Sequence, residues 1–414
     1  MNKYNEIYSR ANAMNIVEDD KKIWMALSNR NGICEIDKET HSARICKVFE
    51  EESLEGELLY CHVEKVGNYL IFSPGMAGKI AVYDLECDKV SYIPLRSIEF
   101  HCKQVQDDSK FWNIFHNNSD VYLLGYTYPA IIKINTESMD VTYITDWVYE
   151  VEKNINDGEL SGYFGDGHAV INNIAMIPLG CMNGVLELDL ENDQTKLRKL
   201  DISMKGVGGL SSANGEHIWM VGKGSRTNRV VCWNIVENSI KELEVPDMEE
   251  DVFDPFYAPI CTSSKIFFMP ISAPFIYEAD VNLERVEKSD ILGRNFKEIR
   301  SALCTWWKTM AVRLRGEWLI YVTCDDFGWH EYNVVTGERK EYYICIEEDI
   351  GKQEQYYGVL YEKWRVEKRI PYERKVPLQY LVSNEAKAKG NTPYCGGRRF
   401  PIGQKLYNEV RGNI

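Results

Sequence analysis

The sequence predicts an all-β fold, a seven-bladed β-propeller with a short, partly helical, basic C-terminal tail. Three observations carry this. A four-strand unit recurs seven times, an Asp or Asn ends one strand of each unit at roughly regular spacing, and the central strands are too uniformly apolar to face water.

The recurring strand end is the sharpest ruler. Asp37, Asp84, Asn135, Asp189, Asn234, Asp280 and Asn333 follow one another at intervals of roughly 45 to 54 residues, within the range of propeller blades. An apolar or aromatic residue precedes each, as in Tyr83, Trp233 and Tyr332, and a turn-rich stretch such as Val334-Val335-Thr336-Gly337 follows. An Asx side chain bonds backbone two residues on and starts a turn, which gives its recurrence a physical reason.

Ahead of each strand end lies an apolar run: Ile23–Leu27, Tyr69–Phe72, Val121–Leu124, Ile174–Ile177, Ile218–Val221, Ile266–Met269 and Trp318–Tyr321. Strands of this kind are covered on both faces, as a blade between two blades is. A third strand follows the turn, as in Ala43–Cys46. A further, innermost strand precedes each unit: Ala13–Val17, Tyr60–Val63, Phe111–Ile114, His168–Ile171, Gly209–Ser212, Tyr257–Ile260 and Ala302–Thr305. Four strands repeated seven times fit a closed ring, which leaves only short, protected edges. A solenoid would need polar caps at both ends, and none is visible in the sequence.

These boundaries give a lead-in over 1–10, a propeller over 11–346 and a tail over 347–414. From Lys363 onward 12 basic residues face 4 acidic ones, a local +8 against the whole-chain −15, so that the rest carries about −23. Ser383–Gly390 reads as a helix end and polar connection, and Ile402, Leu406 and Val410 recur at helical spacing. Such a tail packs across the acidic propeller, docks a partner or touches a membrane surface.

The acidic balance argues against nucleic acid as the main partner. No run is apolar enough to span a bilayer, and the first residues lead into no secretory apolar segment. Twelve cysteines scatter without Cys-x-x-Cys spacing, and the seven histidines show no ligand pattern. No metal or cofactor is expected, and the cysteines fit small reduced side chains in a cytoplasmic protein.

Glu216–Val221, Val231–Asn234, Phe111–Phe115, Tyr128–Asn135 and the C-terminal Ile402–Tyr407 give the chain a resemblance to poorly characterised bacterial propellers found near surface-polysaccharide genes. The resemblance implies a bacterial, cytoplasmic origin and a glycan connection. It transfers no catalytic residue. The Gly-His…Trp-Asp pattern of WD40 blades and the Gly-Gly of kelch blades are both missing.

Function belongs to a mouth of the central channel, where loops from every blade converge. In Gly162–His168 the glycines allow close backbone approach, and Asp166 with His168 forms a candidate acid–base pair, the competing reading being a glycine-rich turn with a structural histidine. His62 is placed to project into the same channel. Lys223–Arg229 is the most cationic mouth loop, where Arg226 could hold an anion, although the loop lacks P-loop order. Aromatic residues gather at the mouth: Trp112, Tyr126, Tyr128, Tyr163, Phe164, Phe256, Tyr257, Trp306, Trp307 and Phe327. Rings with a polar tip suit a sugar or peptide, although blades also bury many aromatics. Asp325-Asp326 reads first as an acidic loop.

The sequence therefore points to a non-catalytic propeller that binds a protein partner or a carbohydrate-like small ligand, with a link to surface-glycan production. The alternative is a lyase or hydrolase acting on a carbohydrate or peptide at the mouth.

Overall fold

A computed structural model describes residues 10–346, apart from 53–57, 99–102, 105–108, 156–158, 161, 213, 224–227, 249–251, 253, 281–284, 292–295 and 297–306. The helical readings at 383–390 and 402–410 lie outside the described residues.

Seven four-stranded antiparallel sheets follow one another along the chain, over 17–47, 60–94, 111–144, 169–199, 207–244, 260–288 and 309–342. They are blades 1 to 7. In each, strands pair in sequence order, so every blade is a meander from the channel outward. A two-residue parallel pairing of Lys103–Gln104 with Glu159–Leu160 and a short helix, Val148–Glu152, stand outside the blades.

The alternation of side chains along a strand builds the ring. In blade 2, Leu70 and Phe72 pack toward blade 1 while Ile71 packs toward blade 3. Blade 5 sends Ile218 and Met220 to blade 4, and Trp219 and Val221 to blade 6. Blade 7 does the same with Leu319 and Tyr321 toward blade 6, and Ile320 and Val322 toward blade 1. Each blade–blade interface is thus its own hydrophobic cluster, which is why the apolar runs show no polar alternation. The cluster between blades 7 and 1 closes the ring and excludes the solenoid.

Closure uses short chain segments. Ala11 N–H donates to Ile344 O at 2.8 Å, and Trp329 Nε1 donates to Ala11 O at 3.1 Å. The Arg10 guanidinium lies 3.7 Å from the centroid of the Tyr343 ring, while Arg10 pairs with Cys345 and Ala43 with Ile346.

All seven predicted strand ends terminate the third strand of their blade. Asp37 accepts the N–H of Glu39 and Thr40, Asp84 those of Glu86 and Cys87, and Asn234 those of Val236 and Glu237. Asn135 and Asn333 make the same two bonds. The innermost strands differ more from expectation. In blade 1 only Val17–Glu18 is paired, in blade 6 only Ile260–Cys261, and in blade 7 the strand is Thr309–Arg315. Ala302–Thr305, the run expected there, lies outside the described residues.

Candidate functional site

Antiparallel register sets the two faces of the ring. Innermost strands start at the mouth that also carries the loop between the second and third strands, and the Asx turns lie on the opposite face. Near that mouth the innermost strands of blades 2, 3, 5 and 7 each break register, at Tyr60/His62, Phe111/Asn113, Val207/Gly209 and Met310/Arg313. A bulge re-aims the side chain it carries. In blade 3 that side chain is Trp112.

The Trp112 ring stands 6.0 Å from His62, 6.0 Å from Tyr126 and 5.8 Å from Trp307, centroid to centroid. Blades 2 and 3 and the lead-in to blade 7 therefore contribute to one aromatic cluster, whose members are all partly accessible. Tyr126 is fixed from behind. Gly162, at φ +127°, presents its bare Cα to the ring, where a Cβ would come within 2.3 Å. The Lys223 ammonium sits 3.9 Å from the same ring's centroid. Burial alone would depress the Lys223 pKa, but Tyr126 and Asp254 outweigh it and raise the pKa, so the ammonium stays charged.

Beneath the cluster lies a cavity of about 350 Å³, whose walls include His62, Trp112, Asn113, Asp166, His168 and Tyr257. The carboxylate of Asp166 accepts the N–H of Gly167 at 2.9 Å and that of Ala258 at 3.1 Å. Its backbone pairs with blade 5, its N–H donating to Gly208 O at 2.8 Å and its carbonyl accepting Leu210 N–H at 3.1 Å. Burial raises its pKa, and those two N–H donors to its carboxylate partly offset the rise. His168 stacks on Phe115 with centroids 4.2 Å apart. Burial pulls its pKa to about 4, the nearby His116 adding to the effect, and burial alone does the same to His62. Both imidazoles are therefore neutral at physiological pH. Asp166 and His168 share this cavity, but no hydrogen bond joins them.

Three of the residues expected to bind ligand are in the core instead. Tyr163 is fully buried against Trp147, its hydroxyl donating to Glu152. Phe327 is likewise fully buried, inside the cluster that closes the ring. Tyr128 is 8 % exposed and donates to Arg96 O at 2.6 Å. Each fills a blade–blade seam, where a large ring satisfies packing rather than a ligand. Phe164 and Phe256 are buried as well. Tyr257 is buried too, in the seam between blades 6 and 7, but it also lines the cavity, and its hydroxyl donates to Thr309 O at 2.7 Å. Trp112 and Tyr126 stand at the mouth, and Arg226 and Trp306 lie outside the described residues. Asp326 caps a turn, accepting from Thr323 Oγ1 at 2.8 Å and Gly328 N–H at 3.0 Å. Among the described residues no group of three or more His, Cys, Asp or Glu side chains could hold a metal.

Sequence reasoning did not single out Asn113, whose Nδ2 donates to Gly167 O at 2.7 Å. Aligning the inner hairpins would have found it. His62, Asn113, Gly167 and Ala311 each stand four residues before the residue that closes their hairpin.

Fold and mouth together define a seven-bladed β-propeller. The chain matches no protein-family model and no curated protein. Among solved structures it is similar to a chain of the mitotic checkpoint complex, with 12% identity and a TM-score of 0.51, over 76% of this chain and 85% of that one. It is also similar to the extracellular domain of a putative one-component system from B. thetaiotaomicron, with 11% identity and a TM-score of 0.50. That match spans 78% of this chain but only 38% of the other. At these identities the likeness is one of fold. No helix among the described residues is long and apolar enough to cross a membrane.

Proposed function

We propose that this chain is a non-catalytic binding propeller whose channel mouth engages a protein partner. The observation that carries the reading is the Trp112–Tyr126–Trp307–His62 cluster, with its aromatic rings accessible at one mouth and its Tyr126 wedged by Gly162 and Lys223. Rigid, partly exposed aromatics at a convergence of loops supply contact area at little entropic cost, the chemistry of interface hot spots. The solved structure of a checkpoint complex that shares the fold fits a scaffold role, as analogy only. A reducing, cytoplasmic setting belongs to the same reading, in which the cysteines serve as small side chains packed mostly within or beside strands. So does a role in bacterial surface-glycan production, which deleting the gene and measuring surface polysaccharide would test.

A photo-crosslinking residue at position 126 tests the mouth directly. Crosslinks from position 126, with none from position 236 on the opposite face, support it, and the reverse pattern rejects it.

The enzyme reading draws on Asp166 and His168 facing one cavity. Against it, both carboxylate oxygens of Asp166 already accept backbone N–H groups, which fits a structural clip better than a base. Turnover of a carbohydrate or peptide that H168Q abolishes would reinstate it.

A further inference from the structure

We propose that the cavity beneath the aromatic mouth binds a small uncharged molecule bearing hydroxyl or amide groups, held between the Trp112 ring and the imidazoles of His62 and His168. The cavity shares Trp112 and His62 with the partner-binding mouth, but the proposal does not depend on that reading. Its volume of about 350 Å³ lies at the small end of ligand cavities, typically about 300–1,000 Å³.

The argument rests on unspent hydrogen-bonding capacity. The His62 imidazole makes no hydrogen bond to any described residue. Its Nδ1 is enclosed by protein without a partner, which leaves Nε2 as the nitrogen open to the cavity. His168 is held by stacking on Phe115, and neither of its nitrogens bonds a described group. A neutral imidazole offers one donor and one acceptor. Nε2 of His62 and the His168 imidazole therefore face the same space, and no described protein group uses their hydrogen-bonding capacity.

The rest of the wall selects against charge. Among the described lining residues there is no Lys or Arg, and the one carboxylate, Asp166, is tied to the N–H groups of Gly167 and Ala258. Met14, Ile114, Leu210 and Val312 supply apolar surface. A charged ligand would lose its hydration here and find no counter-charge, a cost an uncharged one avoids. Trp112 adds a flat apolar face of the kind that covers a sugar ring or amide plane.

The test is a titration of the full-length protein labelled with ¹⁵N-histidine, followed through the imidazole resonances. H62Q and H168Q assign the two signals, and thermal unfolding checks that each variant folds. Glycerol, acetamide and glucose serve as uncharged probes, with glucosamine and gluconate as charged ones. The expected result is saturable shifts at both histidines with at least one uncharged probe, lost in W112A and about tenfold weaker with the charged pair. No saturable shift with any uncharged probe, or an equal response to the charged ones, overturns the proposal and leaves a water-filled channel.

Discussion

The carboxylate of Asp166, in the lead-in to blade 4, accepts the backbone N–H of Ala258, in the lead-in to blade 6, at 3.1 Å. The bond passes over the Gly208-Gly209 pair of blade 5, where bare backbones let three successive blades converge. Asp166→Ala would orphan two N–H groups, each worth roughly 1–3 kcal/mol. The expected loss is about 2–4 kcal/mol in denaturant unfolding, with faster hydrogen exchange at the Ala258 amide. Unchanged exchange at that amide would show that the clip is unimportant.

Gly209 is the second half of the same arrangement. A Cβ there would lie 2.7 Å from the Ala258 Cα, a backbone atom that cannot swing aside. Gly209→Ala should cost about 1–3 kcal/mol by overpacking, whereas Gly67→Ala, on the opposite face with open space around it but at φ +56°, should cost about 1 kcal/mol through backbone strain alone. Thermal unfolding of the two variants compares them.

Acid should loosen the ring in a defined window. The folded-state pKa of His62 and of His168 is depressed from 6.5 to about 4, so the stability they contribute is present above 6.5 and is lost as pH falls toward 4. His116 works the other way, because its hydrogen bond to Glu64 raises its pKa and gives stability that fades as pH rises. Allowing for screening by channel water, each buried histidine should account for roughly 1–3 kcal/mol. The H62Q/H168Q double variant should therefore flatten the fall in Tm between pH 6.5 and 4. An unaltered slope would place the acid sensitivity elsewhere.

Among the described residues, the contacts that close the ring run as far as Ile346. Ala11 meets Ile344, Trp329 reaches Ala11, and Ala43 pairs with Ile346. A chain ending at residue 350 should unfold within about 0.5 kcal/mol of the full chain. Trp329→Phe, which leaves the Ala11 carbonyl without its indole donor, should cost about 1–2 kcal/mol. Loss of cooperative unfolding in the truncated chain would make the basic tail part of the fold, while loss of partner capture alone would make it a docking segment.

The blade count was legible because an Asx turn is a local device: Asp37 or Asn234 bonds its own backbone, so sequence spacing reports it directly. The mouth was half legible. Trp112 and Tyr126 were readable as mouth aromatics, yet Tyr163 and Phe327 looked the same in sequence and are buried. What separates them is tertiary: a bulge turns Trp112 into the channel, whereas Phe327 adopts φ +53° and turns into the seam with blade 1. The inner strand of blade 7 was misplaced because Ala302–Thr305 is more apolar than Thr309–Arg315, whose three basic and polar side chains find partners or solvent. Arg313 donates to Ile16 O, just ahead of the first strand of blade 1, and Arg315 to Glu331 on the third strand of its own blade.

The central claim is that the aromatic mouth is the working face. Its most direct test is quantitative affinity capture from the native organism with the wild-type chain, the W112A/W307A double variant and a V236A control on the opposite face. The account predicts a stoichiometric partner on wild type and V236A, reduced about tenfold or more on the double variant, which remains folded. Undiminished capture by a folded W112A/W307A chain would contradict it.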